Sequence, residues 1–356
     1  MRATLAAALA AACASSAALA QSQVTVFGIA DAALRSVSNT GVGTGRTVVS
    51  GSNSTSRLGF RGVEDLGDGL SAGFHLEHGV LLDTGTPASS SKYFDRRSTV
   101  SLMGRSWGEI RIGRDFTPTY TNWSRYDPFA YVGVARTADL FSNAPNGPIR
   151  AAFGTNDNTT VRSDNSVQWI LPRLGGLEGS LMVAAREGGT AAQGAANVLG
   201  GVLGYRGQAW GLAVATTSTQ NSLTTDGRFR DSSVGGSYRA GPVTVTAAVR
   251  RMSYSTARQT NLLVGATADF GPHQVKLSVH RVDMAGRVGA TSIDTGDALQ
   301  LGLGYVYSLS KRSVLYATAA QIDNRAGGRY TAPGGPSGMA AGGTSRGVEL
   351  GVRHSF

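Results

Sequence analysis

Hydrophobic and polar residues alternate at period two along most of this chain, in short segments punctuated by glycine-rich turns. Across 177–186, Leu177, Gly179, Leu181, Val183 and Ala185 alternate with Glu178, Ser180, Met182, Ala184 and Arg186. The same alternation runs through Val243, Val245, Ala247 and Val249, through Val275, Leu277 and Val279, and through Leu299, Leu301, Leu303, Tyr305 and Tyr307. Each segment predicts a β-strand with one apolar face and one polar or tiny face. Lipid outside and water inside a wall of strands demands that pattern. A soluble sandwich with its apolar face turned inward demands it equally.

The connections separate the two. Tight turns are predicted at 65–69, 105–108, 173–176, 207–208, 240–242, 271–273 and 309–311. Between them lie longer polar stretches at 36–53, 81–91, 116–161, 187–196, 220–228, 255–259, 284–297 and 324–343. Short turns at one end and long loops at the other mark an outer-membrane barrel. Seven turns and eight loops divide the chain into sixteen strands, an even count that closes without an exposed edge. The predicted fold class is all-β, a transmembrane antiparallel β-barrel of sixteen strands. Such a cylinder is too wide for side chains to fill, so its lumen holds water.

Both ends of the chain agree. Val348, Leu350, Val352, His354 and Phe356 share one face of the last segment, and the chain ends on an aromatic, a side chain that collects at membrane interfaces. At the other end, Arg2 precedes a small and apolar stretch ending Ala18-Leu19-Ala20, the form of a signal peptide over 1–20 with the barrel occupying 21–356. The one cysteine, Cys13, falls within that leader, so disulfides do not hold the mature chain together. After residue 20 no apolar run is long enough for a spanning helix. The 49 glycines suit strands and turns. A formal charge of +10 raises nucleic acid as a partner, but the basic residues are scattered singly on an exported chain, and nucleic-acid binding is not expected.

The longest connection, 116–161, carries Phe116, Tyr120, Trp123, Tyr126, Phe129, Tyr131, Phe141 and Phe153 with four prolines. An aromatic segment of this length packs on something, and in a wide barrel the surface on offer is the inner wall. It is expected to fold inward as the third loop and narrow the channel. Alternation turns Arg57 and Arg61 toward the lumen opposite Leu58 and Phe60, and Arg97 opposite Val100 and Leu102. Arg96 needs a bulge or a rim position. Arg111 and Glu109 point inward, and Arg162, Asp164, Ser166 and Gln168 share the face opposite Val167 and Trp169. Clustered arginines in a narrow aqueous passage favour anions. Pairing with Glu109, Asp115, Asp164 or the loop acids Asp127 and Asp139 would reduce that field.

Several stretches resemble the trimeric general porins of the Gram-negative outer membrane, particularly the β-proteobacterial type. They are Val24 to Asp31, Ser56 to Leu70, Gly108 to Arg114, Arg162 to Val167 and the terminal Arg353 to Phe356. The resemblance implies a homotrimer in the cell outer membrane, in contact with lipid and lipopolysaccharide. It also implies passive diffusion of small ions and hydrophilic solutes, and a terminal Phe356 read by the barrel-assembly machinery. The family's constriction arginines fall on Arg57, on Arg96 or Arg97, and on Arg162. A weakly anion-selective general channel is expected; a substrate-selective channel and a surface-display or adhesion barrel are the alternatives.

Enzyme and metal readings are weak. Gly343-Thr344-Ser345-Arg346-Gly347 matches a hydrolase nucleophile elbow in letters, but it opens a strand with no helix after it. His75 and His78 fall on opposite faces of a strand and cannot share an ion. No enzyme activity, metal or cofactor is expected.

Overall fold

Sixteen strands follow one another round a closed antiparallel barrel. The computed structural model describes residues 23–142, 147–154, 160–186 and 195–356; the predicted leader, Pro145 and most of the 187–196 connection lie outside them. The strands are β1 (Gln23–Asn39), β2 in two parts (Gly43–Ser50 and Arg57–Gly67), β3 (Leu70–Leu81), β4 (Arg97–Gly104) and β5 (Gly108–Phe116). After the third loop come β6 (Arg162–Ile170), β7 (Leu177–Ala184), β8 (Asn197–Arg206), β9 (Trp210–Gln220), β10 (Phe229–Ala240) and β11 (Val243–Tyr254). The last five are β12 (Ala257–Phe270), β13 (His273–Ala285), β14 (Ala298–Ser308), β15 (Ser313–Asn324) and β16 (Thr344–Ser355). Each pairs with its sequence neighbours, and β1 closes the ring on β16 in the register Ile29 to Ser355 through Asn39 to Ser345.

The alternating residues sort as the pattern requires. Leu34, Leu181, Leu199, Val214, Leu277, Leu303 and Leu350 stand exposed on the outside. Burying them in lipid is the favourable step that water denies them. Near the short turns Tyr205, Trp210, Tyr238, Phe270, Tyr305, Tyr307 and Phe356 are exposed as well. They form an aromatic belt on that side, the level at which amphipathic rings meet headgroups.

All seven tight turns fall where the pattern put them, but two of the predicted long loops do not exist. β1 runs on to Asn39 and β2 begins at Gly43, leaving a turn of Thr40, Gly41 and Val42 where a loop over 36–53 was expected. The expected loop at 255–259 is a turn of Ser255 and Thr256, with Ser255 in the left-handed region at φ 51°. Both hairpins extend past the apolar belt. With water on both sides, their outer faces need no hydrophobic residues, and the alternation that marks a strand disappears.

The described residues of the third loop, 117–142, 147–154 and 160–161, turn inward. The loop contains α1 (Pro118–Tyr126), α2 (Asp139–Ser142) and α3 (Pro148–Phe153). α1 starts on Thr117, whose hydroxyl accepts from the Tyr120 amide at 3.4 Å, and Pro118 occupies the first turn, where a missing N–H costs nothing. Trp123, Tyr126, Phe141, Ile149 and Phe153 pack with Ala213, Phe229, Ala248, Met252 and Leu263 of the inner wall. That apolar patch on the lumen side of β9 to β12 would otherwise face water, and covering it supplies the main hydrophobic gain of docking.

Candidate channel constriction

β2 is broken at 51–56, and the break is held inside the barrel. Asp31 accepts hydrogen bonds from the backbone N–H groups of Ser52 (3.3 Å), Asn53 (2.8 Å) and Ser54 (2.6 Å) and from the Tyr316 hydroxyl. Arg353 donates to the Asn53 side chain at 2.7 Å. The first residue after this anchored break is Arg57.

Arg57 opens a belt of opposite charges on β2 to β6. Glu77 on β3 receives Arg96, lies 3.9 Å from Arg57 Nε and 3.5 Å from His75 Nε2. Arg97 reaches Asp115 at 2.8 Å, and Arg111 bridges Asp115 (2.7 Å) and Glu109 (2.9 Å). Arg162 donates to the Arg96 carbonyl at 3.1 Å, with its guanidinium 4.7 Å from the centre of the Phe116 ring; that of Arg97 is 5.5 Å from the same ring. Charge on the ring face is the geometry of a cation–π contact. Beyond them Asp164 takes Lys92 at 2.6 Å and Arg114, and Asp95 accepts from the Gly79 amide at 2.7 Å. Among the described residues, seven cations (Arg57, Lys92, Arg96, Arg97, Arg111, Arg114 and Arg162) stand with five carboxylates (Glu77, Asp95, Glu109, Asp115 and Asp164), a difference of two positive charges. The field is therefore positive but modest.

The predicted residues fall as follows. Arg57, Arg97, Arg111 and Arg162 come together. Arg96 joins them because it sits in the bend just before β4, where alternation does not apply. Arg61 lies on the same face as Arg57, opposite His75 and nearer the short turn, with its guanidinium 5.3 Å from the centre of the Phe27 ring. Asp164 departs from the expected face. Asn165 adopts φ 52° and interrupts the alternation. Ser163, Ser166 and Gln168 therefore follow Asp115, Gly113 and Arg111, while Asp164 meets Lys92 and Arg114.

Asp127 and Asp139, expected to face the arginines, do not. Both are buried inside the loop. The Asp127 carboxylate accepts from the Phe129 (2.9 Å) and Tyr131 (3.2 Å) amides and from Thr137 Oγ1 (2.7 Å), which in turn accepts from Trp123 Nε1 at 3.0 Å. Burial pushes the Asp127 carboxyl above its ordinary value, and the Thr137 and backbone donors pull it back. Asp139 is fully buried with Arg136 on Oδ1 at 2.6 Å, and burial pushes it up to about 6 against the pull of that arginine. These two acids hold the loop together and do not reach the belt. Among the described residues the loop offers aromatic rings to the belt: Tyr120 stacks on Phe116 with centres 5.0 Å apart, and Tyr131 meets Tyr120 edge-on at 4.8 Å.

Glu77, Asp95, Lys92 and Arg114 escaped the sequence reading. For Glu77 a signal existed, since it shares a face with His75 two residues earlier. The other three sit at or beside irregular backbone, where period two gives no direction.

A closed barrel with an aqueous lumen, a loop docked on its inner wall and charges gathered where that loop begins and ends is the architecture of a pore. The profile of the Gram-negative porin family matches residues 5–327, and the chain belongs to that family. It is 35% identical over 371 residues to outer membrane porin protein 32 of Delftia acidovorans, covering 98% of both chains. An outer membrane porin protein of Bordetella pertussis is 33% identical over 131 residues, 37% of this chain and 31% of that protein. Among solved structures, the anion-selective porin from Comamonas acidovorans superposes with a TM-score of 0.80 at 30% identity, over 94% of this chain and all of that one. OmpT of Vibrio cholerae shares the fold at a TM-score of 0.65 and 13% identity, over 94% and 98% of the two chains. The protein is an outer-membrane porin of a Gram-negative bacterium, a diffusion channel.

Proposed function

We propose that the chain works as a homotrimer and passes small hydrophilic solutes with a weak preference for anions. The excess of cations over carboxylates in the belt beside the third loop carries this reading. Two of the similar proteins add weight to it, one described as anion-selective and the other solved in a trimer form. Most arginines of the belt have a carboxylate within reach, so the expected preference is small and no single solute is singled out. The loop's packing against the wall favours a pore over a display or adhesion barrel. Lipopolysaccharide around the barrel and assembly through Phe356 belong to the same reading.

Planar bilayers test it. The protein should give large open steps in groups of three, and a zero-current potential in a potassium chloride gradient of the sign that marks chloride as the more permeant ion. Replacing Arg57 and Arg162 together by Glu should reverse that sign, because four charge units of change exceed the excess of two. An unchanged potential would remove both residues from the constriction.

A further inference from the structure

The third loop does not lie on a smooth wall. Between Tyr126 and Ala135 it crosses the inner face from β10 to β16, and at every second strand it meets a glycine. A methyl group built on Gly235 of β10 would come 2.3 Å from the Tyr126 ring. On Gly265 of β12 it would come 2.4 Å from Pro128, and on Gly302 and Gly304 of β14 within 2.9 Å and 2.8 Å of Phe129. On Gly347 of β16 it would come 2.9 Å from Val134. From Tyr126 to Val134 loop order matches strand order, and Ala135 then returns to Gly302 of β14. Between the seats the strands hold the loop by other means, as where Thr246 of β11 donates to the Tyr126 carbonyl at 2.8 Å.

We infer that these glycines set the width of the channel from behind, by fixing how deeply the constriction loop sinks into the wall. Each seat removes a side chain that would hold the loop off, and the loop's opposite face borders the passage. Glycine within a strand weakens it and is used where another part of the chain must come close. Here the close part is the loop. The inference rests on the channel reading above and adds to it the residues that determine the size of solute admitted.

Gly265 is the most informative seat. The Pro128 ring is locked to its own backbone, so it cannot swing aside as a Tyr or Phe ring does. A side chain at 265 must therefore push the loop itself toward the axis. Interiors that are already filled answer added volume with shifts of backbone and rotamer.

The experiment compares Gly265→Ala, Gly304→Ala and the double variants Gly265→Ala/Pro128→Ala and Gly304→Ala/Phe129→Ala with the parent. Single-channel conductance and liposome swelling with sugars of graded size are the readouts. Each single variant should conduct less than the parent, by roughly a quarter or more, and admit only smaller sugars. Each double variant should recover, because the volume added on the wall is removed from the loop. Gly236→Ala, on the same strand as Gly235 but facing outward beside Leu212, should match the parent. Single variants that conduct like the parent, or losses that the loop truncations fail to restore, overturn the inference. Should a wall variant not assemble, Pro128→Ala and Phe129→Ala alone decide: a loop free to sink further should widen the channel, and unchanged conductance overturns the inference. A parent that forms no channel would instead overturn the function proposed above.

Discussion

Among single residues, Glu77 and Asp139 make the sharpest demands. Glu77 is the carboxylate that Arg57, Arg96 and His75 share, so Glu77→Gln removes one negative charge from the belt and leaves its cations in place. The zero-current potential should move further in the chloride direction at about 0.1 M salt and converge with the parent near 1 M, where the screening length shrinks to roughly 3 Å. A shift toward potassium would place Glu77 outside the conducting path. Asp139 makes a pH prediction. Its folded value of about 6 stands above the ordinary 3.8, and its Oδ2 is buried without a hydrogen-bond partner among the described residues. The docked loop thus holds the proton more tightly than a loop in water does. Docking is fully supported below about pH 4 and weakens as pH rises through 6. Protease cleavage of the loop should increase between pH 5 and pH 7.5 in the parent, and Asp139→Asn, which mimics the protonated form, should flatten that rise.

At the scale of elements, the closing strand tests whether Phe356 acts through packing. Its N–H and carbonyl pair with those of Gly28 at 3.1 Å each, and its ring covers the Gly28 Cα so closely that a Cβ there would lie 2.3 Å from Cζ. Deleting Phe356 should leave export intact and lower the yield of heat-modifiable trimer. Gly28→Val should lower it in the same way with the C-terminus untouched; normal assembly of that variant would leave recognition of the free end as the residue's role. Strands of this kind were readable from the sequence because lipid on one side and water on the other impose period two on every membrane-level residue. The hairpin turn at 40–42 and the turn at Ser255 were not, since no lipid touches them and their polar outer faces resemble loop. The same limit governed the site. Arg57, Arg97 and Arg111 lie on regular strand and were placed by parity alone, whereas Asp164 was misplaced by one left-handed residue, Asn165. Asp127 and Asp139 were misplaced because nothing in a loop's composition tells which of its acids turn inward to hold it together.

For the molecule as a whole, barrel and loop make separable contributions. Closure rests on ladders that pair every strand with two neighbours, β1 with β16 included, and none of those pairings involves a described residue of 117–161. The loop rests on the wall through the apolar patch of Ala213, Phe229, Ala248, Met252 and Leu263. Replacing 117–161 by a short Gly-Ser link should therefore yield a barrel that still assembles, since its backbone groups remain satisfied within the ring. It should melt at a lower temperature, because the uncovered patch then faces the water of the lumen. Conductance should rise and swelling assays should admit larger sugars, the narrowest part of the passage having gone. The modest anion preference should fall as well, because the remaining arginines of the belt would then face a wider column of water in which their field is screened. Unchanged conductance in a properly assembled variant would mean that the loop, though docked inside the barrel, does not form the narrowest section, and the constriction would have to be sought among the wall charges between Asp31 and Arg162.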